Sequence, residues 1–194
     1  PPRAMFGYAF TELFFILNHY SIIDNSFLND FSKSINLLDQ NKEEIKSKAV
    51  QIAKNMFRNT PVIYVAKGFE GVAVRFKQQL NENSKTLAWH NVIPEMNHNE
   101  LLGWRTNVND LAVIYFRNKC DYSRNKTRID INKKVISKYT DNITEIWSQG
   151  DSLIENTLYH IHVGDWISWY LAEANNVDAI EIEVIDFLKS ELAK

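Results

Sequence analysis

A chain of 194 residues, 45% of them hydrophobic, holds enough apolar material for one well-buried core with or without an appended arm. Its 22 Lys and Arg against 24 Asp and Glu leave a net charge of −2 with no block of like charge, which argues against nucleic acid and anionic membranes as partners. No apolar run reaches the roughly 18 residues of a membrane helix. The single cysteine, Cys120, excludes an internal disulfide and fits a reducing cytoplasm, with a partly buried spectator thiol as its expected state. The opening Pro1-Pro2-Arg3-Ala4-Met5 lacks both the features of a signal peptide and an initiator methionine, so the chain is expected to begin partway through a longer protein.

Phe6, Phe10, Leu13, Phe14 and Leu17 recur at helical spacing and predict a leading helix over Phe6–Ile23 whose wide apolar face needs a partner. A second helix is expected over Ser26–Leu38, and a clearer amphipathic one over Lys42–Phe57 with Ile45, Ala49, Ile52, Ala53 and Met56 inward. The period then changes. Pro61–Ala66 is a short β-rich run ended by Lys67-Gly68, and Phe69–Leu80 reads as helix. Strands are expected at Thr86–Ile93, Asp110–Arg117 and Asn142–Ser148, with a turn or short helix at Leu101–Trp104 and a helix at Lys126–Lys138. A long helix over Leu153–Ala174 and a terminal one over Glu183–Leu192 complete the pattern. Short apolar strands alternating with helices predict an α/β fold with a parallel sheet covered on both faces.

The densest chemistry lies between Arg75 and Gly103, where Glu82, Lys85, His90, Glu95, His98 and Glu100 are interspersed with asparagines that favour turns and caps. A carboxylate and a histidine on such turns suit proton transfer, the histidine titrating in the useful range and the glutamate tunable by its neighbours. Topology puts Glu82–Lys85 and Asn91–Asn99 at opposite edges of such a sheet, so pattern alone does not bring Glu82 to His98. Other motifs are weaker. Glu95-x-x-His98 is half of a di-iron pattern whose second half is missing. His160-x-His162 falls in a helical pattern that puts the two rings on different faces, so packing is expected rather than metal ligation. His19 and His90 have no partner at diagnostic spacing. There is no Gly-x-Gly dinucleotide pattern and no Gly-x-Ser-x-Gly elbow.

The string Gln79-Leu-Asn-Glu82-Asn-Ser-Lys85 followed by Pro94-Glu-Met-Asn-His98-Asn-Glu100 resembles the carboxyl-terminal half of the bifunctional phosphoglucose/phosphomannose isomerases, of the sugar-isomerase (SIS) superfamily. Pro2-Arg3-Ala4 looks like the motif joining that family's two halves. Gly164-Asp165 with Ser168 and Tyr170-Leu-Ala172 resembles its late helix, and Leu188-Lys189 its terminal one. The resemblance implies a three-layer SIS sandwich of about four to five parallel strands with a helical lead-in over residues 1–40 and the SIS domain proper over 41–194. It implies interconversion of glucose 6-phosphate or mannose 6-phosphate with fructose 6-phosphate through a cis-enediol(ate), without metal or cofactor. Glu82 would be the base between C1 and C2, and His98, contributed by the neighbouring subunit of a homodimer, would assist ring opening. Lys189 would act at the ring oxygen or hydroxyl side, and Arg3 would offset enediolate charge. Two departures stand out. The family's Ser/Thr-rich phosphate loop lies in the first half, outside this chain, so the fragment alone is expected to be inactive. Asp178-Ala179-Ile180 stands where relatives carry Asp-Pro and a hydroxyl residue, which weakens the expectation of mannose 6-phosphate activity. The rival reading is a non-catalytic SIS module that binds a sugar phosphate and regulates a partner.

Overall fold

The computed structural model describes residues 2–105 and 110–194. Two helices lead in, α1 (Phe6–His19) and α2 (Phe27–Gln40), followed by α3 (Lys42–Met56). Four strands follow, β1 (Thr60–Ala66), β2 (Trp89–Ile93), β3 (Leu111–Arg117) and β4 (Ile143–Trp147). Between them run α4 (Glu70–Asn83), a 3-10 turn at Glu95–His98, the single-turn α5 (Glu100–Gly103) and α6 (Ser123–Ile136). The long α7 (Leu153–Asn175) and the terminal α8 (Glu183–Leu192) close the chain. The strands form one parallel sheet in the order β2-β1-β3-β4.

The alternation of the central strands explains the three layers. Ile63 and Val65 of β1 and Ala112, Ile114 and Phe116 of β3 face a cluster built with α3, α4 and α7. Val62, Tyr64, Val113 and Tyr115 face the other way, against Met96, Trp104 and the α6 residues Ile129 and Ile136. Both strands are buried on both faces, which is why they read as continuous apolar runs rather than alternating ones. All five inward residues expected of α3 are buried. The larger of these, Ile45, Ile52 and Met56, each contribute on the order of 1.5–3 kcal/mol by leaving water.

Several boundaries differ from expectation. The leading helix stops at His19 rather than Ile23, where Ser21 takes a left-handed φ of 56°. Its aromatic face is partly covered by α2, with Phe10 and Phe14 stacking edge-on against Phe31. The strand expected from Thr86 starts at Trp89, because Thr86 still bonds back to the helix, its N–H donating to the Leu80 carbonyl at 3.1 Å. Cys120 is exposed, in the turn after β3, not partly buried. No helix among the described residues is long and apolar enough to cross a membrane.

α7 starts with a capping box, in which Ser152 Oγ accepts from the Glu155 N–H while Glu155 Oε2 accepts from the Ser152 N–H. Gly150 makes room for it. Its φ is +101°, and a Cβ there would collide with the Glu155 side chain. We expect Gly150→Ala to lower unfolding free energy by about 2–3 kcal/mol, combining left-handed strain with a displaced cap. Urea denaturation checks this; a loss below about 0.5 kcal/mol would show that the turn absorbs the methyl group.

Candidate functional site

α4 runs three residues beyond the expected Leu80, so that Glu82 sits in its last turn and not on a loop. Asparagines 81 and 83 would ordinarily compete for nearby backbone and end the helix sooner. Here Asn81 is engaged by the loop that follows and Asn83 by a helix across the fold. Asn81 Nδ2 donates to the Thr86 carbonyl at 2.7 Å, and Asn83 Nδ2 donates to Ser168 Oγ on α7 at 2.9 Å. Ser84 Oγ donates to the Ser168 carbonyl at 2.7 Å, and Asn175 Nδ2 reaches the Ser84 carbonyl at 2.9 Å. The carboxyl end of α4 is thereby fixed to α7. Gly164 lets the two helices approach, since a Cβ there would stand 3.0 Å from the Phe76 ring.

Arg3 reaches this end from the amino-terminal 3-10 turn. Its Nε donates to Asn83 Oδ1 at 2.7 Å, Nη1 to Glu82 Oε2 at 3.1 Å, and Nη2 to the Ala179 carbonyl. The Arg3 carbonyl in turn accepts from Arg75 Nη2 at 3.2 Å, while the same nitrogen pairs with Asp165 at 2.8 Å. Gln79 Nε2 holds the other Asp165 oxygen at 2.9 Å. The guanidinium of Arg3 is therefore set in place from three sides, with only 9% of its side chain exposed against 38% for Glu82. Glu82 Oε1 makes no hydrogen bond among the described residues, and Glu82 lines a cleft of about 360 Å³ between the end of α4 and the start of α8. One carboxylate oxygen is anchored and the other is available, which is the arrangement a positioned base requires.

Lys85 completes the corner. It adopts a left-handed φ of 55°, a costly conformation for a lysine. Its ammonium donates to three carbonyls, of Glu82 at 2.7 Å, Asp178 at 2.8 Å and Glu181 at 2.9 Å. The cation both caps α4 and ties the approach to α8 beside Glu82. Sequence reading assigned Lys85 no role. Its contacts span up to 96 residues, so no local spacing could have carried them.

His98 stands elsewhere. It ends the 3-10 turn after β2, exposed, with no side-chain hydrogen bond to another described residue. That turn packs with Met96 on the α6 face of the sheet, whereas Glu82 belongs to α4 on the opposite face. The chain therefore brings Arg3 and Glu82 together and leaves His98 apart. Lys189 is also apart, exposed on α8 with Asp186 as its 3.9 Å neighbour. No α8 residue is buried, and Phe187, Leu188 and Leu192 are exposed alongside Lys189.

The remaining histidines do not form a site. His160 is fully buried beside Phe116, and burial pushes its pKa down to about 3. His162 projects to a different environment, accepting from Trp166 Nε1 at 3.2 Å. His90 Nε2 lies 3.8 Å from Glu70. Among the described residues, no group of three His, Cys, Asp or Glu side chains could hold a metal ion.

The bacterial phospho-glucose isomerase C-terminal SIS domain matches residues 45–192. The chain belongs to this family. It is 31% identical over 195 residues to the bifunctional phosphoglucose/phosphomannose isomerase of Aquifex aeolicus, and 31% identical over 203 residues to that of Caldicellulosiruptor bescii. These alignments cover 100% of this chain but 59% and 60% of those relatives, so the SIS chain spans about three fifths of their length. Among solved structures, a glucose-6-phosphate isomerase like protein from Thermus thermophilus superposes with a TM-score of 0.58 at 15% identity, covering 71% of this chain and 46% of that one. That likeness supports the SIS architecture of the sheet and its flanking helices.

Proposed function

We propose that this SIS domain is the carboxyl-terminal part of an aldose–ketose isomerase that interconverts glucose 6-phosphate, or its C2 epimer mannose 6-phosphate, with fructose 6-phosphate. Residues 1–40 would lead in from an amino-terminal half that supplies the phosphate grip, and residues 1–194 alone would not turn over. The observation that carries this reading is the Glu82 carboxylate, held through one oxygen by Arg3 and open through the other, at the wall of a cleft.

In the proposed reaction Glu82 removes the C2 proton of the open-chain aldose, and the electrons move into a C1–C2 double bond as the carbonyl oxygen becomes the enediolate oxygen. A proton passes from the C2 hydroxyl to the C1 oxygen, and Glu82 returns its proton to C1, giving the ketose. Arg3 is placed to offset negative charge during this exchange. His98 and Lys189 would open the sugar ring by proton transfer at its oxygen. Because His98 lies on the sheet face opposite Glu82, the reading requires the His98 of a second copy in a homodimer. The exposed apolar side chains of α8 beside Lys189 are consistent with burial in a larger assembly.

The test uses the full-length protein with fructose 6-phosphate in deuterated water. We expect glucose 6-phosphate or mannose 6-phosphate carrying deuterium at C2, because the base exchanges its proton with solvent. Binding without turnover would instead favour the regulatory-module reading, and product without C2 deuterium would point to a hydride shift.

A further inference from the structure

Glu100 lies two residues beyond His98 and takes no part in the chemistry above. Its carboxylate accepts three hydrogen bonds, all from neutral donors. Tyr64 Oη donates to Oε1 at 2.6 Å, Trp89 Nε1 to Oε1 at 3.2 Å and Asn91 Nδ2 to Oε2 at 2.7 Å. No ion pair with Glu100 occurs among the described residues. Tyr64 Oη accepts in turn from the buried Trp104 Nε1 at 3.0 Å, which leaves its proton for Glu100. The Asn91 amide cannot turn over freely, because its Oδ1 accepts from the Val92 N–H at 2.8 Å. Three fixed donors converge on one side chain, and only an acceptor-only group can satisfy all of them. An amide at position 100 would oppose one of its own donors to Asn91 or to the Tyr64–Trp89 pair.

The other side of the same turn is fastened as well. Asn97 Nδ2 donates to Oδ1 of the buried Asn132 at 2.6 Å, and Asn132 Nδ2 points to the Sδ of fully buried Met96 at 3.3 Å. Between these anchors lie only His98 and Asn99. The exposed imidazole thus projects from a segment bound to α6 one residue before it and to β1 and β2 two residues after it.

We propose that Glu100 is a positioning residue for His98, holding the His98-bearing turn against β1 and β2 so that the imidazole is presented at a fixed angle to a partner's cleft. This rests on the assignment of His98 to ring opening. A purely structural Glu100 would act on the fold whether or not His98 is present, whereas a positioning residue acts only through it.

A double-mutant cycle in the full-length protein separates these cases, with kcat, KM and the unfolding midpoint measured for wild type, Glu100→Gln, His98→Asn and the double variant. We expect Glu100→Gln to lower kcat about tenfold with KM changed less than about twofold, and to change kcat less than about twofold when His98 is already Asn. Equal losses in both backgrounds, or no loss in either, would overturn the proposal. If His98→Asn itself keeps wild-type kcat, the role of His98 fails and Glu100's with it, a result distinct from a crippled His98→Asn with additive Glu100→Gln. Should Glu100→Gln unfold, Trp89→Phe removes a single donor from a half-exposed side chain; about a threefold loss of kcat, seen only with His98 present, is expected, and a loss independent of His98 or no loss overturns the proposal.

Discussion

Replacing Glu82 by Gln in the full-length protein is expected to lower kcat for fructose 6-phosphate about a thousandfold while KM changes little. The substitution keeps the size of the side chain and leaves an oxygen that can still accept from Arg3 Nη1, now 3.1 Å from Oε2. What it removes is the lone pair that takes a proton. General-base contributions run to about 100- to 10,000-fold, so the expected loss is worth about 4 kcal/mol of transition-state stabilisation. Because the cleft walls and the Arg3, Lys85 and Ser168 contacts to neighbouring residues are untouched, ground-state binding should persist, and the loss belongs in kcat rather than KM. Steady-state kinetics with a matched unfolding curve checks this. Undiminished kcat would remove Glu82 from the chemistry.

The second large effect concerns stability in acid. His160 is fully buried, its Nε2–H donating to Asn118 Oδ1 at 3.0 Å, a tautomer set by Asn118 Nδ2, which is occupied with Asp121. Burial is the main cause of a folded-state pKa near 3, with the Arg117 backbone opposing it. The unfolded chain has the ordinary value of 6.5, so between these two pH values the unfolded state binds more protons than the folded one. Stability from this group is complete above pH 6.5 and is lost as pH falls toward 3. Between pH 8 and pH 4.5 the difference is on the order of 3 kcal/mol, the slope approaching the limit of one proton per molecule. Urea denaturation at both pH values, for wild type and His160→Gln, isolates this contribution, since the variant should lose that part of the slope whatever its stability at pH 8. Identical slopes in the two proteins would show that His160 does not titrate on unfolding.

The sheet was legible because its central strands are continuous β-rich runs, and strands buried on both faces must be so. Helix α3 was legible from its apolar spacing, and the separation of His160 from His162 followed from the helical pattern around them. Local pattern failed where side chains work at long range. Asn81, Asn83 and Ser84 read as a turn, yet Asn83 and Ser84 are bonded to α7 while Asn81 ties down the loop that follows, which lets α4 continue through Glu82. The Arg3–Glu82 pair spans 79 residues, and two of the three carbonyls gathered by Lys85 lie 93 and 96 residues further along the chain. Neither leaves a spacing to read, and only the resemblance of short strings put Arg3 and Glu82 in one site. The clamp on Glu100 was hidden for the same reason, since its donors come from two strands.

The central claim is that one copy's Glu82 works with another copy's His98. Mixing full-length Glu82→Gln with full-length His98→Asn, under conditions that let subunits exchange, tests it most directly. In a mixed dimer one site carries both substitutions and the other carries neither. Half the dimers are mixed at equal input, so activity should rise to about one quarter of wild type. Activity that stays at the average of the two inactive parents after exchange would contradict a site shared between copies.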